Sequence, residues 1–202
     1  MNELIRRLID QVARRRERGD ETVSDHRELD RRLSEGRELV FVGGVFFVEK
    51  FTLLAEQMLA EQRPEGGQLV VGFERFRNLT GNTRRRERYL TLEQLAGEAW
   101  VYGCDEPLDY AQEPPGPWPY ERLVPVRVSE QDPLRWTWFI VYCGPRLSYC
   151  LVALSQVRSG LPITGQSEAR EVSFRGVWTT DGKIAQAVVA DLVRVVNPFY
   201  GA

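Results

Sequence analysis

The sequence predicts an α/β fold with a mixed central sheet of about six to seven strands and flanking helices. The first half reads β-α-β-α-β, the second half reads as antiparallel strands, and a helical arm precedes both. Three observations carry this. Short apolar runs alternate with helical periodicity as far as residue 103, strands follow one another with almost no helix after residue 120, and the first 36 residues are charged and helical in pattern.

In the arm, residues 1–36, Leu4, Ile5, Leu8, Ile9 and Val12 form an apolar stripe opposite Arg6, Arg7 and Arg14 to Arg16. Gly19-Asp20 breaks it, and a second helix is expected from Ser24 as N-cap to about Leu33, with Gly36 as the stop. Residues 37–202 form the α/β domain. Glu38 to Val42 (ELVFV) is a compact apolar strand, and Gly43-Gly44 turns it into a helix from Phe46 to about Gln62. Phe47, Phe51, Leu54 and Met58 share one face of that helix, which places Glu49, Lys50, Glu56, Gln57 and Glu61 mostly away from the core. Pro64 and Gly66-Gly67 end it.

Gln68 to Phe73 (QLVVGF) is a second buried strand, a helix from Arg84 or Thr91 to Ala96 follows, and Ala99 to Gly103 (AWVYG) is a third strand. This order suits parallel strands joined by crossovers. Residues 105–118 are proline-rich and read as a surface connection. Tyr120 to Val128 contains Pro125, which predicts an edge strand. Arg135 to Tyr142 and Leu147 to Ser155 form a hairpin about Cys143-Gly144-Pro145-Arg146. Ala169 to Thr179 is the last strand, and Asp181-Gly182 opens a helix whose Ile184, Val188, Leu192 and Val195 dock on the sheet.

Composition excludes several functional classes. The chain of 202 residues is 43% hydrophobic and 28% charged, the balance of an ordinary globular domain. A formal net charge of −2 lacks the basic excess of a dedicated nucleic-acid or anionic-membrane binder. A charged N-terminus and the lack of any apolar run of about 20 residues predict a cytoplasmic protein with no membrane segment. Cys104, Cys143 and Cys150 lack metal-ligand spacing and have one histidine, His26, to join them, so they read as small buried hydrophobes rather than zinc ligands or a disulfide framework. Among the 27 basic residues only Lys50 and Lys183 are lysines, a bias that genome composition explains as well as function does.

No nucleophile-histidine set and no phosphate-binding glycine loop is present, which argues against an enzyme. Glu74, Asp105 and Glu106 stand nearest the ends of the first three strands and are the carboxylates available for acid–base chemistry. The most informative segment is Gly72 to Tyr89, GFERFRNLTGNTRRRERY, which leaves the carboxyl edge of the second strand, where open α/β sheets bind ligands. Its candidate ligand-binding residues are Glu74, Arg75, Arg77, Asn78, Arg88 and Tyr89. Three readings stand: an arginine pocket for a carboxylate or phosphate, an internal Glu74–Arg pair that fixes the loop, or a solvated arginine run. Arginines in the first turn of a helix oppose its dipole unless carboxylates lie nearby, which keeps the first reading open. The central aromatics, Trp100 to Tyr142, read as core.

Seven segments in order carry a family resemblance: FFVEKF (Phe46 to Phe51), GFERFRN (Gly72 to Asn78), RRRERY (Arg84 to Tyr89), WVYG (Trp100 to Gly103), YERLVPV (Tyr120 to Val126), DPLRWTWFIV (Asp132 to Val141) and FRGVWTTDGKI (Phe174 to Ile184). Together they resemble the DICT sensory domain, found with diguanylate cyclases and two-component systems, over residues 38–198. The resemblance implies a signal-input role beside cyclic-di-GMP enzymes, phosphodiesterases or histidine kinases, with a suggested link to light responses. It supplies neither catalytic residues nor a known cofactor. The family-like positions Glu74, Arg77, Arg88 and Tyr89 fall in the candidate site, and Trp178 and Asp181 are structural markers. With no cyclase, phosphodiesterase or kinase motif of its own, such a module acts on a signalling partner in trans, and the N-terminal helices are a handle for that or for a homodimer. The expected function is therefore a non-catalytic input module binding a small anionic or planar ligand. A scaffold without a small ligand, or an unrecognised enzyme using carboxylates and arginines, are the alternatives.

Overall fold

The computed structural model describes residues 7, 38–64, 66–72, 76, 79, 83–103, 118–129, 131–156 and 173–200. The elements are β1 (Leu39–Gly44), α1 (Val45–Gln62), β2 (Gln68–Gly72), α2 (Thr83–Leu95), β3 (Glu98–Gly103), β4 (Leu123–Arg127), a 3-10 turn (Pro133–Trp136), β5 (Thr137–Cys143), β6 (Ser148–Gln156), β7 (Ser173–Thr179) and α3 (Gly182–Tyr200). The seven strands form one mixed sheet in the order β1-β7-β6-β5-β2-β3-β4. The α/β class, the strand number and the flanking helices are as the sequence predicts. The N-terminal arm lies outside the described residues, Arg7 excepted.

Side chains alternate across the sheet with the period of two that a pleated strand imposes. Leu39, Phe41, Leu69, Val71, Ile140, Tyr149, Leu151 and Trp178 face α1 and α2. Val40, Val70, Phe139, Val141, Cys150, Val152 and Val177 face α3, which contributes Ile184, Ala185, Val188, Val189 and Leu192. The result is three layers, helix pair, sheet and helix. At Gly176 the sheet has no room for a side chain, because a Cβ there would stand 2.3 Å from Phe41 Cζ.

Two details of topology differ from expectation. β2 and β3 are adjacent and parallel as foreseen, but β1 lies at the far edge, antiparallel to β7. The block β7-β6-β5 sits between β1 and β2, and α1 crosses over it, packing on β5, β6 and β7. Periodicity dictates that a strand be buried on both faces, not which strand becomes its neighbour. Second, β4 belongs to the parallel part, beside β3, rather than to an antiparallel half. Residues 104–122 are long enough for the crossover that two parallel neighbours require. Pro125 does lie on an edge strand, as expected of a residue with no N–H to give to a ladder.

The β5–β6 hairpin forms as expected, but Cys143 pairs with Ser148, and Cys150 with Val141, so the two cysteines are not opposite each other. Cys150 is fully buried and Cys143 half-buried, both as free thiols.

α1 ends where Arg63 turns left-handed (φ 40°), its N–H bonding Leu59 O at 3.1 Å. Gly66 and Gly67 continue with φ of 76° and 91°, a conformation glycine adopts without a Cβ penalty. α3 begins at Asp181, whose Oδ1 accepts from the Lys183 N–H at 2.9 Å, an N-cap that satisfies a free helix donor. Trp178 is 1% exposed and stacks on Tyr149, so both marker positions are structural.

Candidate functional site

The buried stripe of α1 is Phe47, Val48, Phe51, Thr52, Ala55, Glu56 and Leu59. At 100° per residue this face is turned roughly a quarter turn from the one that Phe47, Phe51, Leu54 and Met58 define. The expectation that Glu56 points away from the core is therefore wrong: its side chain is 0% exposed. Glu56 stands at i+8 from Val48 and i+4 from Thr52, a position on the same helical stripe. That spacing was the signal available in the sequence, and its charge masked it.

Glu56 faces α2. Its Oε2 takes the Arg88 guanidinium in an ion pair, while the Arg88 side chain remains 31% exposed and lies at the solvent end of the site. One turn earlier on α2, Arg85 pairs with Glu49 at 3.6 Å, two turns earlier on α1. The two carboxylates lie near the basic first turn of α2, which has no acidic residue of its own to offset the helix dipole. The arginine run is thus not wholly solvated. Arg84 is exposed, Arg85 and Arg86 are half-buried, and Arg85 and Arg88 reach carboxylates on the neighbouring helix.

Beneath this seam lie two tyrosines. Tyr89 of α2 and Tyr149 of β6 are both 0% exposed. The Tyr89 hydroxyl interacts with the Glu56 carboxyl. Tyr149 packs between Trp178, stacked at 5.5 Å and 15°, and Tyr142, whose hydroxyl is turned to Gly66 O. The Tyr149 hydroxyl is buried and makes no hydrogen bond. Buried polar groups are almost always paired, so a buried hydroxyl without a hydrogen bond is uncommon.

Burial pushes the Glu56 carboxyl above its ordinary value, and Arg88, Tyr89 and Arg85 oppose that only in part. Burial, reinforced by the Glu56 charge, pushes both Tyr89 and Tyr149 well above the ordinary phenol value. Both hydroxyls therefore keep their protons at neutral pH and can donate.

Nearby polar side chains have structural partners. Thr52 Oγ1 donates to Val48 O at 3.0 Å and accepts from Trp138 Nε1 at 2.8 Å. Glu93 of α2 is 2% exposed, and its Oε2 accepts from the Arg122 and Leu123 N–H groups at 2.9 and 3.0 Å, tying the start of β4 to the helix.

Of the six residues singled out from the sequence, Arg88 and Tyr89 lie in this site. Glu74, Arg75, Arg77 and Asn78 lie outside the described residues, as do Asp105, Glu106 and Cys104. Sequence reasoning missed Glu56 and Tyr149. Among the described residues no group of three or more His, Cys, Asp or Glu is placed to hold a metal ion. No helix there is long and apolar enough to cross a membrane.

The fold and site together define a three-layer α/β domain with a buried polar cluster under its paired helices. No known family matches the chain, and no curated protein matches it. Among solved structures it is similar to TrmBL2, an archaeal chromatin protein described as showing a novel mode of DNA binding. The TM-score is 0.43 at 13% identity over 98% of this chain, and the chain spans 60% of that protein's length. A likeness that small carries no argument about function.

Proposed function

We propose that this chain is a non-catalytic sensory or regulatory input module of bacterial signal transduction, of the DICT type. In this reading it binds a small ligand between α1, α2 and β6 and acts on a signalling partner in trans. The observation that supports the reading is the buried cluster of Glu56, Arg88, Tyr89 and Tyr149 beneath the paired helices, in which the Tyr149 hydroxyl makes no hydrogen bond. A buried unpaired polar atom costs about 1–3 kcal/mol, a cost more often found at functional positions than elsewhere.

Three of the segments that resemble the family meet here. FFVEKF begins α1, RRRERY supplies Arg88 and Tyr89, and FRGVWTTDGKI supplies the Trp178 that supports Tyr149. A ligand placed here touches both helices and the sheet, so its binding changes how α1 and α2 sit on the strands. That is the kind of differential contact a sensor needs to shift a population.

The test is native mass spectrometry of the full chain isolated from its own cell extract. A non-covalent adduct that denaturation releases, and that Glu56→Gln fails to retain, is the expected result. A bare polypeptide mass for the wild type, unchanged after incubation with a small-molecule extract of the same cells, refutes ligand sensing at this site.

A further inference from the structure

The three helices are not held alike. α1 buries apolar side chains along its length, from Phe47 to Leu59, and α3 does so from Ile184 to Leu192. α2 buries two apolar side chains, Tyr89 and Leu92, and packs on α1 more closely than on any strand. Much of its remaining attachment is polar. Arg85 and Arg88 reach Glu49 and Glu56 of α1, and the Tyr89 hydroxyl reaches the Glu56 carboxyl. Glu93 accepts from the Arg122 and Leu123 N–H groups. Beyond the last turn of α2 the chain is pinned at Gly97 and Glu98, whose N–H groups both bond Gly67 O, at 2.9 and 3.1 Å.

A helix held in this way leaves its neighbours in one step. Once Arg88 departs, Glu56 is a carboxylate 0% exposed and without that counter-ion, a costly state that ends only when α2 moves far enough for water to reach it. A lone helix of 13 residues is marginal in water, so α2 unwinds as it undocks. We propose that α2 is a latch, opening as a unit about Gly97 while the sheet, α1 and α3 stay folded, and freeing the Arg122 and Leu123 N–H groups at the head of the edge strand β4. Local openings of this kind, below the free energy of global unfolding, are drawn from elements with few buried apolar contacts. Glu93 is the link that carries the opening from the α1–α2 seam to the sheet edge. The latch needs no ligand and does not rest on the signalling reading above.

The experiment is NMR-detected native-state hydrogen exchange on the full chain at pH 7, over urea concentrations below the unfolding transition. Expected is an α2 opening at least about 100-fold more populated than the one that exposes β5 and β6, with a shallower urea dependence because it uncovers less surface. The Arg122 and Leu123 amides exchange in step with α2. Two substitutions separate the latch from global unfolding. Arg88→Met raises the α2 opening about 30-fold or more, because the closed form loses the counter-ion of Glu56. Val188→Ala, on the opposite face of the sheet, weakens the open and closed forms alike, so it speeds exchange in β5 and β6 at least about tenfold and leaves α2 within about twofold. Equal acceleration of α2 and the sheet in Val188→Ala shows that α2 opens only with the whole molecule and overturns the latch. A wild-type α2 that shares the urea slope of β5 and β6 does the same without any substitution. An α2 that opens early while Arg122 and Leu123 exchange with the sheet overturns the link to β4.

Discussion

Removing Arg88 should cost far more stability than removing Glu56, although they are two ends of one ion pair. The asymmetry follows from exposure, 31% for the Arg88 side chain against 0% for Glu56. In Arg88→Met the apolar stem survives, but a buried carboxylate loses its counter-ion, a change that costs about 3–5 kcal/mol in buried pairs. Protonation sets a ceiling. Starting from the ordinary value of 4.5, neutralising the carboxyl at pH 7 costs about 3.4 kcal/mol at 1.36 kcal/mol per pH unit. Burial already raises the wild-type carboxyl, so part of that cost is present before the substitution, and a loss of about 2–3 kcal/mol is expected at pH 7. At pH 5.5 the ceiling falls to about 1.4 kcal/mol, and the loss shrinks with it. Glu56→Gln instead leaves a guanidinium that can turn into solvent, for a loss under about 1 kcal/mol at pH 7. Urea unfolding followed by tryptophan fluorescence, at both pH values, measures all of this. Equal losses for the two variants, or a loss in Arg88→Met that persists undiminished at pH 5.5, refute the reasoning. The sign for the wild type follows from the same linkage. A carboxyl held above its unfolded value binds its proton more tightly in the native state. Its contribution is therefore most favourable below 4.5 and is lost as pH rises through the raised native value, a slope that Glu56→Gln removes.

Two further outcomes are expected. Glu93→Ala leaves the Arg122 and Leu123 N–H groups without their carboxylate and should cost about 2–3 kcal/mol in urea unfolding; a loss below about 1 kcal/mol shows that water replaces it. Cys150 is fully buried, and burial pushes its thiol well above the ordinary range, so an alkylating reagent should modify Cys143 in the native protein and Cys150 only after denaturation. Peptide mass mapping reads this, and native labelling of Cys150 at the rate of Cys143 contradicts the packing described.

The elements were legible in the sequence because each depends on local periodicity. The α1 run, the β5–β6 hairpin, the edge strand marked by Pro125 and the docking face of α3 appear within a few residues of where spacing put them. Arg88 and Tyr89 stood out in the sequence because charge and an aromatic stand together at the start of a helix, and both contact Glu56 in the structure. Strand neighbours were not legible. The pattern of β1 is equally content beside β2 or beside β7, and only the packing of α1 across β5 to β7 decides between them. Glu56 and Tyr149 were hidden for a related reason. A glutamate on an amphipathic helix reads as solvent-facing until Arg88, on a helix 32 positions along the chain, arrives to neutralise it. Tyr149 reads as one more core aromatic until Trp178 and Tyr142 enclose its ring and leave its hydroxyl without a partner. The sequence alone determined which residues are apolar enough to be buried; tertiary packing decided which polar groups are buried with them, because that depends on partners distant in the chain.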